Sequence, residues 1–577
     1  MGNIMSIAAV KLDDKYEQEQ GRVFMTGMQA LVRLPMLQRQ RDVAAGLNTA
    51  GFISGYRGSP IGGYDAALWS AQRFLARSHI KFQPGLNEDL AVTAVWGTQQ
   101  IGLWPGAKYD GVFGIWYGKG PGVDRSGDAI KHLNYDGTAK HGGVLLIAGD
   151  DHGAKSSTLP HQSEPAFMSF GVPVFHPAGV QEYLDLGLHG FAMSRFSGCA
   201  VGFKAIGETI ESSTSVSIDP NAVQFAKSIN FDMPGGGLNL RYPDTPQEKE
   251  DRLLDYKLPA ALAYARANRL DKVIFDTPKP RLGIVTTGKA YLDVRQAFDE
   301  LGLTAEMAAD MGIRLYKVAM TWPLEPVGAL EFAKGLEEIL VVEEKRPILE
   351  DQLRTVLYGR DGAPKRIVGK KDENNQVLLP EIGELTPGMV AQSIVGRLKK
   401  YSDMPDFDQR LARIEQIETG AQGSPPTILR TPYFCSGCPH NTSTKTPDGS
   451  RSMAGIGCHG MALWMPDRNT QTITHMGAEG VNWIGQAPFC KTDHIFQNLG
   501  DGTYYHSGLL AIRAAVDAGV NITYKILFND AVAMTGGQPV VNLQDGKLTP
   551  DEISRQVHAE GIAKIALVTD EPDKYPI

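Results

Sequence analysis

Cysteine, long apolar runs and excess positive charge are all scarce in this chain of 577 residues. Five cysteines are too few for a disulfide scaffold, and three of them fall in one segment, which points to a reducing compartment, the cytoplasm, and to a metal or cluster site. No unbroken apolar stretch is long enough to cross a bilayer, so no membrane partner is expected. A formal charge of −8 and an isoelectric point near 5.9 leave no basic footprint, which excludes a nucleic-acid-binding module. The opening Met1-Gly2-Asn-Ile-Met-Ser6 fits a myristoylation pattern, but so short a match recurs by chance and a charged segment follows at once. Nothing near it has the order of a secretory signal, and no internal repeat or low-complexity tract is present.

What the chain does have is length and globular composition. With 42% hydrophobic and 21% charged residues it supports about three or four domains. Over residues 1–240 short apolar strands (Gly51 to Ser54, Gly111 to Tyr117, Val144 to Ala148, Ala200 to Phe203) alternate with helical patterns, the rhythm of a doubly wound parallel sheet. Residues 241–271 read as a helical connector, with Thr245 as N-cap, Pro246 in the first turn and Glu248 completing a capping box. A second α/β pattern covers 272–400, with strands at Arg281 to Thr286 and Ile339 to Glu343, a helix from Lys289 to Leu301, and no catalytic cluster. Residues 401–427 are charged and then rich in small residues, a linker by composition. The last module spans 428–577 and ends on an apolar strand pattern, Ile565 to Thr569.

The chemistry concentrates in that last module. A strand from Ile495 to Leu499 runs into Gly500-Asp501-Gly502, a helical span follows, and a buried strand, Ile522 to Phe528, runs into Asn529-Asp530-Ala531. In an open parallel sheet this places Asp501 and Asn529 at adjacent carboxyl ends, where a hard cation takes carboxylate, amide and main-chain oxygens together with phosphate oxygens. Gly500 and Gly502 let the backbone approach a phosphate. Alone, Gly-Asp-Gly is the composition of many connecting loops; the Asn at the next strand end and Thr535-Gly-Gly-Gln538 beyond it give the pattern weight.

Cys435-Ser-Gly-Cys438 and Cys458 offer three thiolates, a set that suits iron–sulfur better than zinc because no second Cys-x-x-Cys pair exists. A four-iron cluster needs a fourth ligand, for which only Cys490 and Cys199 remain, and Cys199 lies in an apolar strand and reads as core. The alternative is that Cys435 and Cys438 only shape a turn. His440, His459 and His475 lie in glycine-rich turns, placed to line a cofactor or to be satisfied by carbonyls. His152 and His161 lie on a loop after a strand. Near the amino terminus, a strand runs into Gly58-Ser59-Pro60, and Gln83-Pro-Gly-Leu-Asn-Glu88 opens a helix on an acid. Glu88 would serve there equally as a complement to the helix dipole.

Taken together, these segments resemble the fingerprint of thiamine diphosphate enzymes and, over nearly the whole chain, the indolepyruvate ferredoxin oxidoreductase family. The words that carry the resemblance are Thr431-Pro-Tyr-Phe-Cys-Ser-Gly-Cys-Pro-His-Asn441, Gly455-Ile-Gly-Cys-His459, His475-Met-Gly-Ala-Glu-Gly480, Leu527-Phe-Asn-Asp-Ala-Val-Ala-Met-Thr-Gly-Gly-Gln538 and, earlier, Ser59, Asn87-Glu88 and Lys119-Gly-Pro-Gly-Val123. The resemblance implies an α/β multidomain fold in which 1–240 binds the pyrimidine, 272–400 is a transketolase carboxyl-terminal-like domain and 428–577 binds the diphosphate. It implies Mg2+ held by Asp501, Asn529 and the Ala531 carbonyl, and cofactor contacts from His440, Gly477, Gly500, Gly502 and Thr535. Glu88 would activate the cofactor towards its ylid, Ser59 would face the substrate, and Cys435, Cys438 and Cys458 would hold a [4Fe-4S] cluster. The implied reaction is oxidative decarboxylation of an aryl 2-oxo acid, indolepyruvate-like, to acyl-coenzyme A with electrons passed to ferredoxin. The implied assembly is a homodimer, or a hetero-oligomer with an acceptor subunit. Family members continue into cysteine-rich and acceptor modules, so the chain is expected to be a fragment, a truncated form or one subunit. A non-oxidative thiamine diphosphate decarboxylase and a non-catalytic partner subunit are the alternatives.

Overall fold

The computed structural model describes residues 10–401, 405–422, 431–540 and 548–575. The myristoylation-like opening lies outside them. The chain divides into two compact units, Met1–Ser424 and Pro425–Ile577.

The first unit holds a seven-stranded sheet. Its strands are β1 (Thr49–Gly55), β2 (Ile80–Phe82), β3 (Gly111–Lys119), β4 (Val144–Asp150), β5 (Val174–Phe175) and β6 (Val201–Ile206), completed by a later edge strand. The helices α1 (Gly27–Ala44), α2 (Glu88–Gln99) and α3 (Val180–Ser197) are among those that cover it. Every residue of β4 is buried, as expected of a parallel strand covered on both faces, which explains why Val-Leu-Leu-Ile reads as a continuous apolar run. The four expected strands are present and run one to three residues past their expected carboxyl ends, the last of them starting at Val201 and not Ala200.

The connector is helical as expected. Thr245 and Glu248 form the anticipated capping box, with Glu248 Oε2 accepting from the Thr245 N–H at 2.7 Å. A π-helical turn, Arg252–Lys257, then leads into α4 (Leu258–Asn268), whose Ala261, Tyr264 and Ala265 join the core of the amino-terminal sheet. Structurally the connector belongs to that core.

A five-stranded sheet follows, formed by β7 (Lys272–Phe275), β8 (Leu282–Thr287), β9 (Ile313–Val318), β11 (Glu338–Val342) and β12 (Arg366–Val368) in the order β12-β11-β8-β9-β7. Between β9 and β11, β10 (Met320–Trp322) leaves this sheet and pairs antiparallel with β5, giving the first sheet its order β10-β5-β6-β4-β3-β1-β2. Helix α5 (Gly288–Leu301) leaves the central strand β8. The linker expected over 401–427 is largely a helix, α6 (Pro405–Gln422), which corrects the compositional reading. Its charged residues hide an apolar stripe at helical spacing, Phe407, Leu411 and Ile414, that packs on the core around β8.

The second unit is built on four parallel strands, β13 (Ser452–Ala454), β14 (Thr470–Ile473), β15 (Ile495–Gly500) and β16 (Ile522–Leu527), in the order β14-β13-β15-β16. The strand expected at Ile565 to Thr569 is not formed. Among the described residues this segment finds no ladder partner, and Ile565, Leu567 and Val568 stand 38%, 44% and 92% exposed. Strand propensity without a neighbouring strand does not suffice.

Candidate functional site

In the second unit β15 and β16 run in parallel with Gly500 opposite Leu527, so the residues after each strand meet at one edge. Asp501, 2% exposed, opens the helix after β15. Its Oδ2 accepts from the backbone N–H groups of Asn529 at 2.9 Å and Asp530 at 2.6 Å, and its Oδ1 accepts from Gly502 at 2.9 Å. Asn529 Oδ1 in turn accepts from the Ala531 N–H at 3.1 Å. Asp530 between them has φ +53°, a left-handed conformation uncommon outside glycine, Asn and Asp. The adjacency read from the sequence is therefore present, and it is tighter than expected because the carboxylate itself ties down the Asn529 turn. Burial pushes the Asp501 carboxyl above its ordinary range, against the pull of the three N–H groups.

A carboxylate offers about four lone-pair sites, and three N–H bonds leave capacity on Asp501 for a cation. With the Asn529 side-chain oxygen and the Ala531 carbonyl, the donors are all hard oxygens, the set that suits magnesium. A Cβ at Gly502 would lie 3.2 Å from the Val532 side chain, a tight contact. Thr535 turns its hydroxyl to the Val532 carbonyl at 3.3 Å and to Gln538 at 3.1 Å, within its own loop.

Sequence reasoning passed over Glu479. Fully buried, it accepts from the N–H groups of Gly477 at 2.7 Å and Ile456 at 3.2 Å, and so knits together two of the glycine-rich turns. Gly477 has φ +94°, which explains the glycine there. His459 lies beside the same edge, since a Cβ on Gly500 would stand 3.5 Å from its ring. His459 Nε2 and His440 Nδ1 are buried without hydrogen-bond partners, and burial lowers both imidazoles, His459 to about 3. His475 is exposed and stands apart in character.

Cys435 is exposed, while Cys438 and Cys458 are half-buried. Burial raises the Cys458 thiol and the neighbouring Cys438 and Cys435 raise it further, so the three share one corner of the unit. Among the described residues, however, no three His, Cys, Asp or Glu side chains converge closely enough to hold a metal. Cys199 is core, as expected, its thiol pushed up to about 11 by burial.

In the first unit Glu88 is the first residue of α2, 8% exposed, with Asn87 capping the helix through the Leu90 N–H at 3.1 Å. Its side chain packs on Gly122, where a Cβ would fall 2.6 Å from the Glu88 Cγ. Ser59 follows β1 and accepts a hydrogen bond from Ser156 Oγ at 2.8 Å. Ser156 belongs to the loop after β4, which Asp151 organises by accepting from Lys155 and Ser156 N–H groups at 2.9 Å each and from Ser157 Oγ at 2.5 Å. Lys119 donates to the Ser156 carbonyl at 2.8 Å. Burial lowers the His161 imidazole, but Asp124 at 2.7 Å and Asp150 at 3.5 Å outweigh it and hold the group up at about 9.

The comparisons agree with this anatomy. Residues 272–421 match the indolepyruvate oxidoreductase domain family, and residues 455–570 match the thiamine pyrophosphate enzyme, C-terminal TPP binding domain family. The chain is thus a multidomain α/β protein with a thiamine-diphosphate-binding type of carboxyl-terminal domain. More particularly, it matches the indolepyruvate oxidoreductase family. It is 24% identical over 542 residues to indolepyruvate oxidoreductase subunit IorA of Methanothermobacter marburgensis, covering 92% of this chain and 79% of that protein. It is 28% identical over 305 residues to IorA of Thermococcus kodakarensis, covering 49% and 43% respectively. A solved 2-oxoglutarate:ferredoxin oxidoreductase from Magnetococcus marinus aligns with TM-score 0.46 and 14% identity, over 65% of each chain. Among the described residues no helix is long and apolar enough to cross a membrane.

Proposed function

We propose that the chain is the thiamine-diphosphate-binding part of a 2-oxoacid:ferredoxin oxidoreductase that converts an aryl 2-oxo acid such as indolepyruvate to its acyl-coenzyme A. The observation that carries the reading is the Asp501–Asn529 edge, where a buried carboxylate with spare lone pairs holds the backbone of the Asn529 turn in a domain of thiamine-binding type. Asp501, Asn529 and Ala531 hold Mg2+ against the diphosphate, with His440 and the glycines at 477, 500 and 502 around it. Residues 428–577 act as the diphosphate domain and 1–240 as the pyrimidine domain. Thiamine diphosphate, when bound, supplies the electron sink for decarboxylation. Glu88 holds a proton against the cofactor's pyrimidine ring, and Ser59, oriented by Ser156, meets the substrate. Cys435, Cys438 and Cys458, neighbours in one corner, would have to draw closer together to provide three ligands of a [4Fe-4S] outlet for electrons.

Isothermal titration with thiamine diphosphate and magnesium tests the cofactor, and absence of magnesium-dependent binding overturns the reading. The visible spectrum of anaerobically prepared protein tests the outlet. A second reading, a non-oxidative thiamine diphosphate decarboxylase, is favoured by the lack of convergence of three metal-binding side chains among the described residues. Cofactor binding without iron–sulfur absorption, with aldehyde as product, selects it.

A further inference from the structure

The carboxyl end of the central strand β8 carries Thr286-Thr287-Gly288, where α5 begins. Thr287 stands at the N-cap but makes no capping bond, and the hydroxyls of Thr286 and Thr287 are buried without partners. The neighbouring strand ends bring two histidines to the same edge. Beyond β9, the Ala319 carbonyl accepts from the His176 N–H at 3.0 Å; beyond β11, Lys345 Nζ donates to the His152 carbonyl at 3.0 Å. His176 lies over the first residue of α5, so that a Cβ on Gly288 would fall 2.2 Å from its ring. The two histidines are 2% and 3% exposed, and neither ring nitrogen of either has a hydrogen-bond partner.

Six polar atoms on four buried residues at or near an uncapped helix start are therefore without partners of their own. Buried polar groups are normally satisfied, and such a set calls for an occupant. Several features favour a negative one. The start of a 14-residue helix carries partial positive charge and free N–H groups. Hydroxyls and neutral imidazoles both donate. Of the charged side chains acting on the two rings, Lys204, Lys317 and Lys345 are cationic and Asp150 is anionic; Lys204 is paired with Glu164 and Asp150 and Lys317 with Glu182, whereas Lys345 donates to the carbonyls of His152 and Gly383. A metal is disfavoured because no three suitable side chains converge among the described residues.

We propose that the β8–α5 turn, with His152, His176, Thr286 and Thr287, is a buried binding site for a small tetrahedral oxyanion of phosphate or sulfate size.

The full chain, exchanged into low-salt buffer and first saturated with thiamine diphosphate and magnesium to occupy any diphosphate site, is titrated with inorganic phosphate, sulfate or acetate. Binding is followed by calorimetry and thermal unfolding. Phosphate and sulfate should bind saturably and raise the unfolding temperature, as any ligand of the folded state does, whereas planar acetate should not. The near-isosteric double substitution Thr286→Val/Thr287→Val should weaken phosphate at least about tenfold, the loss expected when two donors are removed. His176→Gln tests a second wall of the site should the valine protein fail to fold. Absence of saturable phosphate binding, affinity unchanged in the folded variants, or equal response to acetate overturns the proposal. The phosphate titration reads the same way if thiamine diphosphate itself fails to bind, which separates this inference from the proposed function.

Discussion

Replacing Asp501 tests two roles that the structure assigns to one carboxylate. Its Oδ2 holds the N–H groups of Asn529 and Asp530, and Asp530 occupies a left-handed conformation that costs a non-glycine residue roughly 1 kcal/mol. Asp501→Ala removes the acceptor. Each orphaned N–H costs about 1–3 kcal/mol when fully buried; the exposure of Asn529 admits water, so a loss near 2 kcal/mol in total is expected. Asp501→Asn keeps a carbonyl oxygen for the same two N–H groups but offers an amide nitrogen, no metal ligand, on its other side. Because its amide nitrogen faces the Gly502 N–H that Oδ1 accepts in the parent, it should lose about 1 kcal/mol in urea, less than the Ala variant, while losing magnesium-dependent affinity for thiamine diphosphate. Removing one partner of a partly buried charge interaction costs about 3–5 kcal/mol, a factor of at least about a hundred in dissociation constant. The assays are chemical denaturation and calorimetry on all three proteins. Parental cofactor affinity in Asp501→Asn refutes the metal assignment; equal stability of the Ala and Asn variants refutes the account of the turn.

Glu88→Gln should keep cofactor affinity but slow exchange of the thiazolium proton, followed by proton magnetic resonance in deuterium oxide, by roughly a hundred to ten thousand fold, the usual worth of acid–base assistance; unchanged exchange rejects Glu88. Phe407→Ala, in the stripe by which α6 packs on the middle domain, should cost about 3–5 kcal/mol of stability, whereas a residue in a free linker would cost almost nothing. Asp271 is half-buried with its Oδ2 shielded from solvent, and burial pushes its carboxyl up to about 7 although the Ala319 N–H at 2.7 Å and the Met320 N–H at 3.2 Å pull the other way. Because the folded value lies above the ordinary 3.8, the group subtracts stability as pH rises from about 4 to about 7, up to roughly 4 kcal/mol, and is silent below that window. Asp271→Asn should therefore match the parent at pH 4 and gain on it steadily towards pH 8 in denaturant midpoints; a difference independent of pH contradicts the sign.

Legibility in the sequence followed how local the determinants are. Strands such as β4 and the capping box of Thr245 and Glu248 are written in a few consecutive residues, and the structure contains them. The edge that joins Asp501 and Asn529 was legible too, because two strand–turn units of one sheet place their ends side by side whatever the intervening helix does. The helix over Pro405–Gln422 was hidden by composition: its apolar stripe has only three members among many charges, and their value appears once α5 and the helix Pro387–Leu398 are there to receive them. At Ile565 to Thr569 the mismatch runs the other way, since a local β-pattern is present but a strand also needs a partner.

The buried charges were the least legible part, for a physical reason. Lys204 reaches both carboxylate oxygens of Glu164, at 2.6 and 2.7 Å, across forty residues, and Glu479 joins two turns more than twenty residues apart. Nothing in the spacing of these residues distinguishes them from surface charges; only the topology decides which are stripped of water. Once stripped, they become expensive to leave unpaired, so the fold commits backbone donors and counter-ions to them. Asp501 carries the same consequence into the candidate site. Three backbone donors hold its carboxylate, yet burial still keeps its affinity for protons above the ordinary range, so the local hydrogen bonds alone do not compensate the buried charge. The cation proposed for that edge would complete the compensation.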